Sequence, residues 1–381
     1  MPMTEERHYE ENQKIEYKPK DKINDTTAGD DMRIPQNGLQ QQKQPTESED
    51  DPVKRGKKFF SKVGFVFLGG SLAIALVQGV AMLAVNRFFP QWMESSTGTL
   101  VVTMLIMYLL ALPLMMCIVK IIHVRAPLEQ HRMTIGQWIL AALMCYGITY
   151  ASNLVGTALT FLIGLLKGSA VDNVLLSVIS GTNLWVVFLF TVLCAPVYEE
   201  YIFRKLLVDR VAVYGEGVAV MLSGLLFGLF HGNLSQFSYA FCLGVFFGFI
   251  YVKTGRVRYT IALHMMVNFV GSVLPLLIMK ISRYDEFMEA LTLFQTDMAK
   301  GMAQLESVMP GLFLFAGYAL AIFGTAIAGM VLLIINYKKF RLMPGQRVIP
   351  KGKRFSVVVV NAGMILFCVF WIAQIVIQLV G

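Results

Sequence analysis

After residue 60 the chain is built from apolar runs of 18 residues or more, at 63–85, 99–120, 136–166, 183–208, 216–234, 236–253, 259–280, 310–336 and 355–380. A run of that length reads as a helix crossing a bilayer, because hydrocarbon offers the backbone no hydrogen-bond partner outside the segment itself. About nine spans follow, and the expected fold is an all-α polytopic transmembrane bundle over residues 61–381. Only 15% of the 381 residues are charged, against about 25% in ordinary soluble domains.

Residues 1–60 contrast with the rest. They are rich in Glu, Lys, Gln, Asp and Asn, include Gln40-Gln41-Gln42-Lys43-Gln44, and hold almost nothing that could form a core. A disordered cytosolic tail is expected there. No cleavable signal peptide is read in it, so the first span doubles as the targeting signal. The tail ends in a basic collar, Lys54, Arg55, Lys57, Lys58 and Lys62, suited to touching anionic lipid or to holding the tail inside.

The net charge of +8 is placed by topology. Loops carrying Arg125 and Arg132, then Arg204, Lys205 and Arg210, then Lys253, Arg256 and Arg258, then Lys338 through Arg354, alternate with loops poor in Lys and Arg. This pattern predicts a cytosolic N-terminus and an external C-terminus. Nucleic acid is not an expected partner; the lipid bilayer is. Cys117, Cys145, Cys194, Cys242 and Cys368 lie in apolar runs without CxxC spacing, so they read as packing residues. Residues 123–138 are amphipathic and are expected along the inner interface, with His123 and His131 as interfacial polar residues. Trp92, Trp138, Trp185 and Trp371 are expected near span ends. No internal repeat, GxGxxG or Walker-type loop is present.

Twelve acidic residues follow position 60, and only Glu199 and Glu200 interrupt an apolar segment. Carboxylates in hydrocarbon are expensive and usually functional. Glu200 and Arg204 are four apart on one helix face, which predicts an ion pair. Glu199 points about 100° away around the helix, as the carboxylate left for general-base work. Pro196, three residues earlier, bends the helix. His231 closes the run Leu225–Phe230, and His264 and Asn268 share one face of a later span. Amide hydrolysis needs a base for water and donors for the developing oxyanion; a histidine N–H and an asparagine amide supply such donors.

These residues form Glu199-Glu200-x-x-x-Arg204, Phe227-x-x-x-His231 and His264-x-x-x-Asn268, in that order across consecutive membrane segments. In this the chain resembles the CAAX-protease and bacteriocin-processing family of intramembrane endopeptidases, which includes the type II CAAX prenyl endopeptidases and many bacterial homologues. The resemblance covers about residues 183–280. It implies a helical membrane protease, in a bacterial plasma membrane, that cuts a peptide bond near the cytosolic face. Its substrate would be a peptide or protein, lipidated or not: a CAAX-like tail, a peptide or a bacteriocin. By the resemblance, Glu199 and His231 activate water, His264 and Asn268 stabilise the oxyanion, and Glu200 and Arg204 hold the site together.

A metal is the alternative water activator, with Glu199, His231 and His264 as candidate ligands for zinc or another divalent ion. The HExxH spacing is absent and neither histidine has an obvious orienting carboxylate in sequence, so the reading leans to a metal-free glutamate mechanism. Two other classes compete: a proton-coupled transporter, and a non-catalytic scaffold or bacteriocin self-immunity protein. Depth sets one condition. Counting about 1.5 Å per residue from the inner loops, Glu199 lies about 16 Å in, His264 about 9, Asn268 about 15 and His231 about 21. They meet only if the fifth helix starts low or tilts.

Overall fold

The computed structural model describes residues 51–126, 128–169, 171 and 182–380. The expected disordered tail therefore lies, up to residue 50, outside the described residues. Its last residues differ from expectation. Helix α1 (Pro52–Phe88) begins at Pro52, with Asp51 accepting from the Val53 amide at 2.9 Å, so the basic collar is helical. Proline at the first turn costs nothing, since that N–H has no helical partner.

The other long helices are α2 (Ser96–Val119), α3 (Ile135–Lys167), α4 (Leu184–Tyr214), α5 (Glu216–Phe230), α6 (Leu234–Thr254), α7 (Val257–Ile281), α8 (Tyr284–Thr296), α9 (Met298–Lys339) and α10 (Ala362–Val380). Among the described residues eight helices, α1 and all of these but α5 and α8, are long and apolar enough to cross a bilayer. The expected ninth span, α5, has only 15 residues, about 22 Å of helix. The last expected span also divides: Arg354–Val358 is a separate short helix, and α10 starts at Ala362. The protein is an integral membrane protein with an all-α transmembrane bundle.

Local chemistry sets the ends. Thr134 and Gln137 form a reciprocal capping box at the start of α3, which satisfies two otherwise orphaned N–H groups. Residues 122–126 and 128–134 before it are not helical. They cross one end of the bundle, with the Ala126 amide donating to Asp209 O at 2.7 Å and the His131 amide to Thr254 O at 2.9 Å. Asn233 caps α6 by accepting from Gln236 N at 2.8 Å, and Gly255 ends it at φ +60°.

Three helices widen into π turns just before a proline: 107–111 before Pro113, 188–194 before Pro196, and 269–273 before Pro275. Proline has no N–H and its ring collides with the carbonyl one turn back. A wide turn moves that carbonyl aside. A fourth π stretch, 201–208, follows directly on Glu200.

Glycine seams set the tightest crossings. A Cβ on Gly64 of α1 would lie 2.2 Å from the Gly363 carbonyl carbon of α10, and one on Gly329 of α9 would lie 2.0 Å from Leu143 O of α3. On α5 and α6 the pairs Gly224/Gly228 and Gly244/Gly248 let backbones touch: a Cβ on Gly244 would lie 2.9 Å from Gly224 Cα. In lipid, where apolar side chains gain little by leaving the solvent, such close packing holds helices together. Phe60, Phe67, Phe203, Phe247 and Phe367 fill the interior, whereas Leu83, Ile135, Leu166 and Leu320 face outward.

Trp92, Trp138 and Trp185 lie at or beside helix ends, as expected. Trp371 does not. It sits midway along α10, with its ring 5.0 Å from that of Phe230 and its indole nitrogen buried.

Candidate active site

The three motifs meet around one ring. Phe227 of α5 has its centroid 4.5 Å from the Arg204 guanidinium carbon, 4.9 Å from the His231 ring and 5.8 Å from the His264 ring. Side chains from α4, α5 and α7 all reach this point. The motif's phenylalanine carried no role in the sequence reading, because an aromatic inside an apolar run looks like packing.

Arg204 and Glu200 pair as their spacing predicts. Arg204 Nη1 lies 3.1 Å from Glu200 Oε1, and both side chains are 0% exposed. Arg204 Nη2 donates to Gly244 O of α6 at 3.3 Å. The guanidinium carbon lies over the rings of both Phe227 and Phe247, the latter at 5.4 Å. A planar cation is suited to such a slot, since ring faces are negative.

His264 Nδ1 stands 3.0 Å from the same Glu200 oxygen. The orienting carboxylate that sequence spacing failed to show is therefore Glu200, reached across 64 positions. A carboxylate can only accept, so Nδ1 carries the proton. Nε2 is then the working nitrogen, 3.7 Å from Glu199 Oε2. It donates in the imidazolium form and accepts in the neutral one.

His231 caps the end of α5. Its Nδ1 lies 2.8 Å from Phe227 O. A carbonyl has no proton to give, so Nδ1 is the donor and neutral His231 offers Nε2 as an acceptor. The turn holding it is fixed by Gly232 at φ +67° and by the Asn233 cap on α6. The Trp371 ring covers that turn: a Cβ on Gly232 would lie 3.2 Å from it.

Glu199 differs from its neighbour. Its side chain is 25% exposed, while Glu200 is sealed inside. Asn268 donates to Thr191 O at 2.8 Å, which uses one amide hydrogen and leaves the second. Ser272 Oγ donates to Asn268 O at 2.6 Å and lies 3.3 Å from Thr191 Oγ. The π turns of α4 and α7 thus hold Asn268 from two sides. Gly244, Phe247, Thr191 and Ser272 were all missed from the sequence. His123 and His131 lie apart from this cluster, and His131 faces Glu129 at 3.4 Å on the surface.

The candidate metal set is not gathered into a donor cage. Among the described residues no three His, Cys, Asp or Glu side chains stand so that they could hold a metal ion. Glu199, His231 and His264 do not fit that role, and no step below is routed through a metal.

Residues 181–270 match the family model described as type II CAAX prenyl endopeptidase Rce1-like. This bears out the resemblance carried by the three motifs. A stretch of 139 residues is 27% identical to the "Putative membrane peptidase YdiL" of Bacillus subtilis (strain 168), covering 35% of this chain and 55% of that protein. A stretch of 90 residues is 33% identical to the "Membrane-embedded CAAX protease MroQ" of Staphylococcus aureus (strain USA300), covering 22% of this chain and 36% of that protein. The chain thus spans about half of one relative's length and about a third of the other's. No solved structure matches it.

Proposed function

We propose, on the premise that residues 181–270 are a type II CAAX prenyl endopeptidase Rce1-like core, that the protein is a membrane-embedded endopeptidase. One observation carries the reading most directly. Of two adjacent intramembrane carboxylates, Glu200 is locked by Arg204 and His264, while Glu199 stays partly exposed beside the same histidine. Two neighbours in different environments take different roles. Glu200 organises and Glu199 reacts.

The chemistry then runs as follows. Glu199 takes a proton from water while the water oxygen attacks the substrate carbonyl carbon. His231 Nε2 accepts a hydrogen bond from that water and aligns it. With His264 as the imidazolium, the carbonyl oxygen becomes an oxyanion facing its Nε2–H and the second amide hydrogen of Asn268. Collapse breaks the C–N bond, and the proton on Glu199 passes to the leaving amine. The substrate is a peptide or protein segment reaching the bundle from the membrane face; the two relatives' printed names, a membrane peptidase and a CAAX protease, favour this class.

The test compares peptides in membranes and medium from cells carrying the wild-type protein, Glu199→Gln protein, or none. Fragments lost equally in the mutant and the deletion support proteolysis and identify the substrate. A mutant indistinguishable from wild type, beside an altered deletion, overturns the catalytic reading in favour of a scaffold or transport role.

A further inference from the structure

Away from the site, α1 and the end of α2 enclose a groove of about 500 Å³. Lys58 and Lys62 stand on its α1 wall, followed along the helix by Phe65 and Val66, and Ile118 of α2 and Ile121 of the turn after it stand opposite. Lys54, Lys58 and Lys62 recur every four residues, so they form one stripe. Like charges at that spacing repel. No acidic residue occurs between Asp51 and Glu94, and among the described residues none of the three lysines has an ion-pair partner. All three are exposed. The apolar walls are equally open, with Phe65 49% and Ile121 50% exposed.

The groove is therefore polarised, with paired cations at one end and an aliphatic and aromatic trough at the other. We infer that it is a binding site for one anionic phospholipid, its phosphate between Lys58 and Lys62 and an acyl chain along Phe65, Ile118 and Ile121. The lysines lie in the first turns of a bilayer-length helix, the level at which lipid phosphates lie. A lipid neutralises the repulsion along the stripe and covers the trough in one step. A soluble anion would do only the first.

The experiment uses the full chain purified in a neutral detergent. It is mixed with equimolar phosphatidylglycerol and phosphatidylcholine, and retained lipid is counted by native mass spectrometry. Wild type is expected to retain phosphatidylglycerol in preference to phosphatidylcholine at a ratio of one lipid per chain. The Lys58→Ser/Lys62→Ser variant should lose about tenfold of that preference. Lys58→Arg/Lys62→Arg should keep it, which separates charge from misfolding. Ile121→Trp, which fills the trough and keeps both cations, should lower retention as well. The inference is overturned if the serine variant keeps the preference, or if Lys338→Ser/Lys339→Ser reduces it equally. It is also overturned if glycerol phosphate displaces the lipid at equal concentration, since the acyl chain would then contribute nothing.

Discussion

His264 Nδ1 lies 3.0 Å from Glu200 Oε1, the same oxygen that Arg204 approaches at 3.1 Å. One carboxylate oxygen thus ties the imidazole of α7 to the guanidinium of α4. Glu200 and its neighbour should therefore fail differently. Glu199→Gln is expected to lower peptidase activity by at least ~100-fold with an unchanged melting temperature in detergent. Glu200→Gln should lower both. Equal melting temperatures for the two variants would contradict the division of roles.

Removing the cation leaves a sealed carboxylate with His264 Nδ1 as a remaining partner. Arg204→Ala is expected to destabilise the fold by about 3–5 kcal/mol, read as a lower detergent melting temperature and poor yield. Arg204→Lys should rescue little, because an ammonium cannot reach both Glu200 and Gly244 O while keeping its place over the Phe227 and Phe247 rings. A lysine variant with wild-type melting would show that the fork is not used.

Phe227 touches Arg204, His231 and His264 at once. Phe227→Leu keeps an apolar group there but removes the ring face. Activity is expected to fall about tenfold, with a stability cost under about 1.5 kcal/mol. A variant in which both are unchanged would mean the ring only fills space.

The α5–α6 seam has no room for a side chain at Gly244. Gly244→Val is expected to cost about 1–3 kcal/mol, because its Cβ would lie 2.9 Å from Gly224 Cα and 3.0 Å from the Phe227 ring. Gly271→Ala on α7, with nothing within 4 Å, serves as the neutral control. Thermal melts of the two proteins decide it.

What the sequence disclosed was local or exceptional. The spans announced themselves through length. The Glu200–Arg204 pair followed from a four-residue spacing, and the two histidines stood out because titratable groups are rare among apolar residues. What stayed hidden was non-local and ordinary in type. The His264–Glu200 contact bridges 64 positions. Gly244 and Phe247 sit in a run of glycines and aromatics that nothing marks out. Asn268 is held by the carbonyl of Thr191, a backbone atom that every residue possesses. The end of the tail was misjudged for a related reason. Basic residues in the first turns of a spanning helix look, by composition, like more of the polar segment before them.

The glycines between α5 and α6 have a mechanical consequence. At this seam the two helices pack too closely to slide past one another, and it joins His231, Phe227 and the carbonyl that holds Arg204. α2, α4 and α7, by contrast, each contain a widened turn before a proline, the kind of place where a helix kinks. If the protein is the endopeptidase proposed above, admission of a polypeptide falls to the kinked side of the bundle. On the same reading, the glycine-packed side would be the anvil against which the scissile bond is held still.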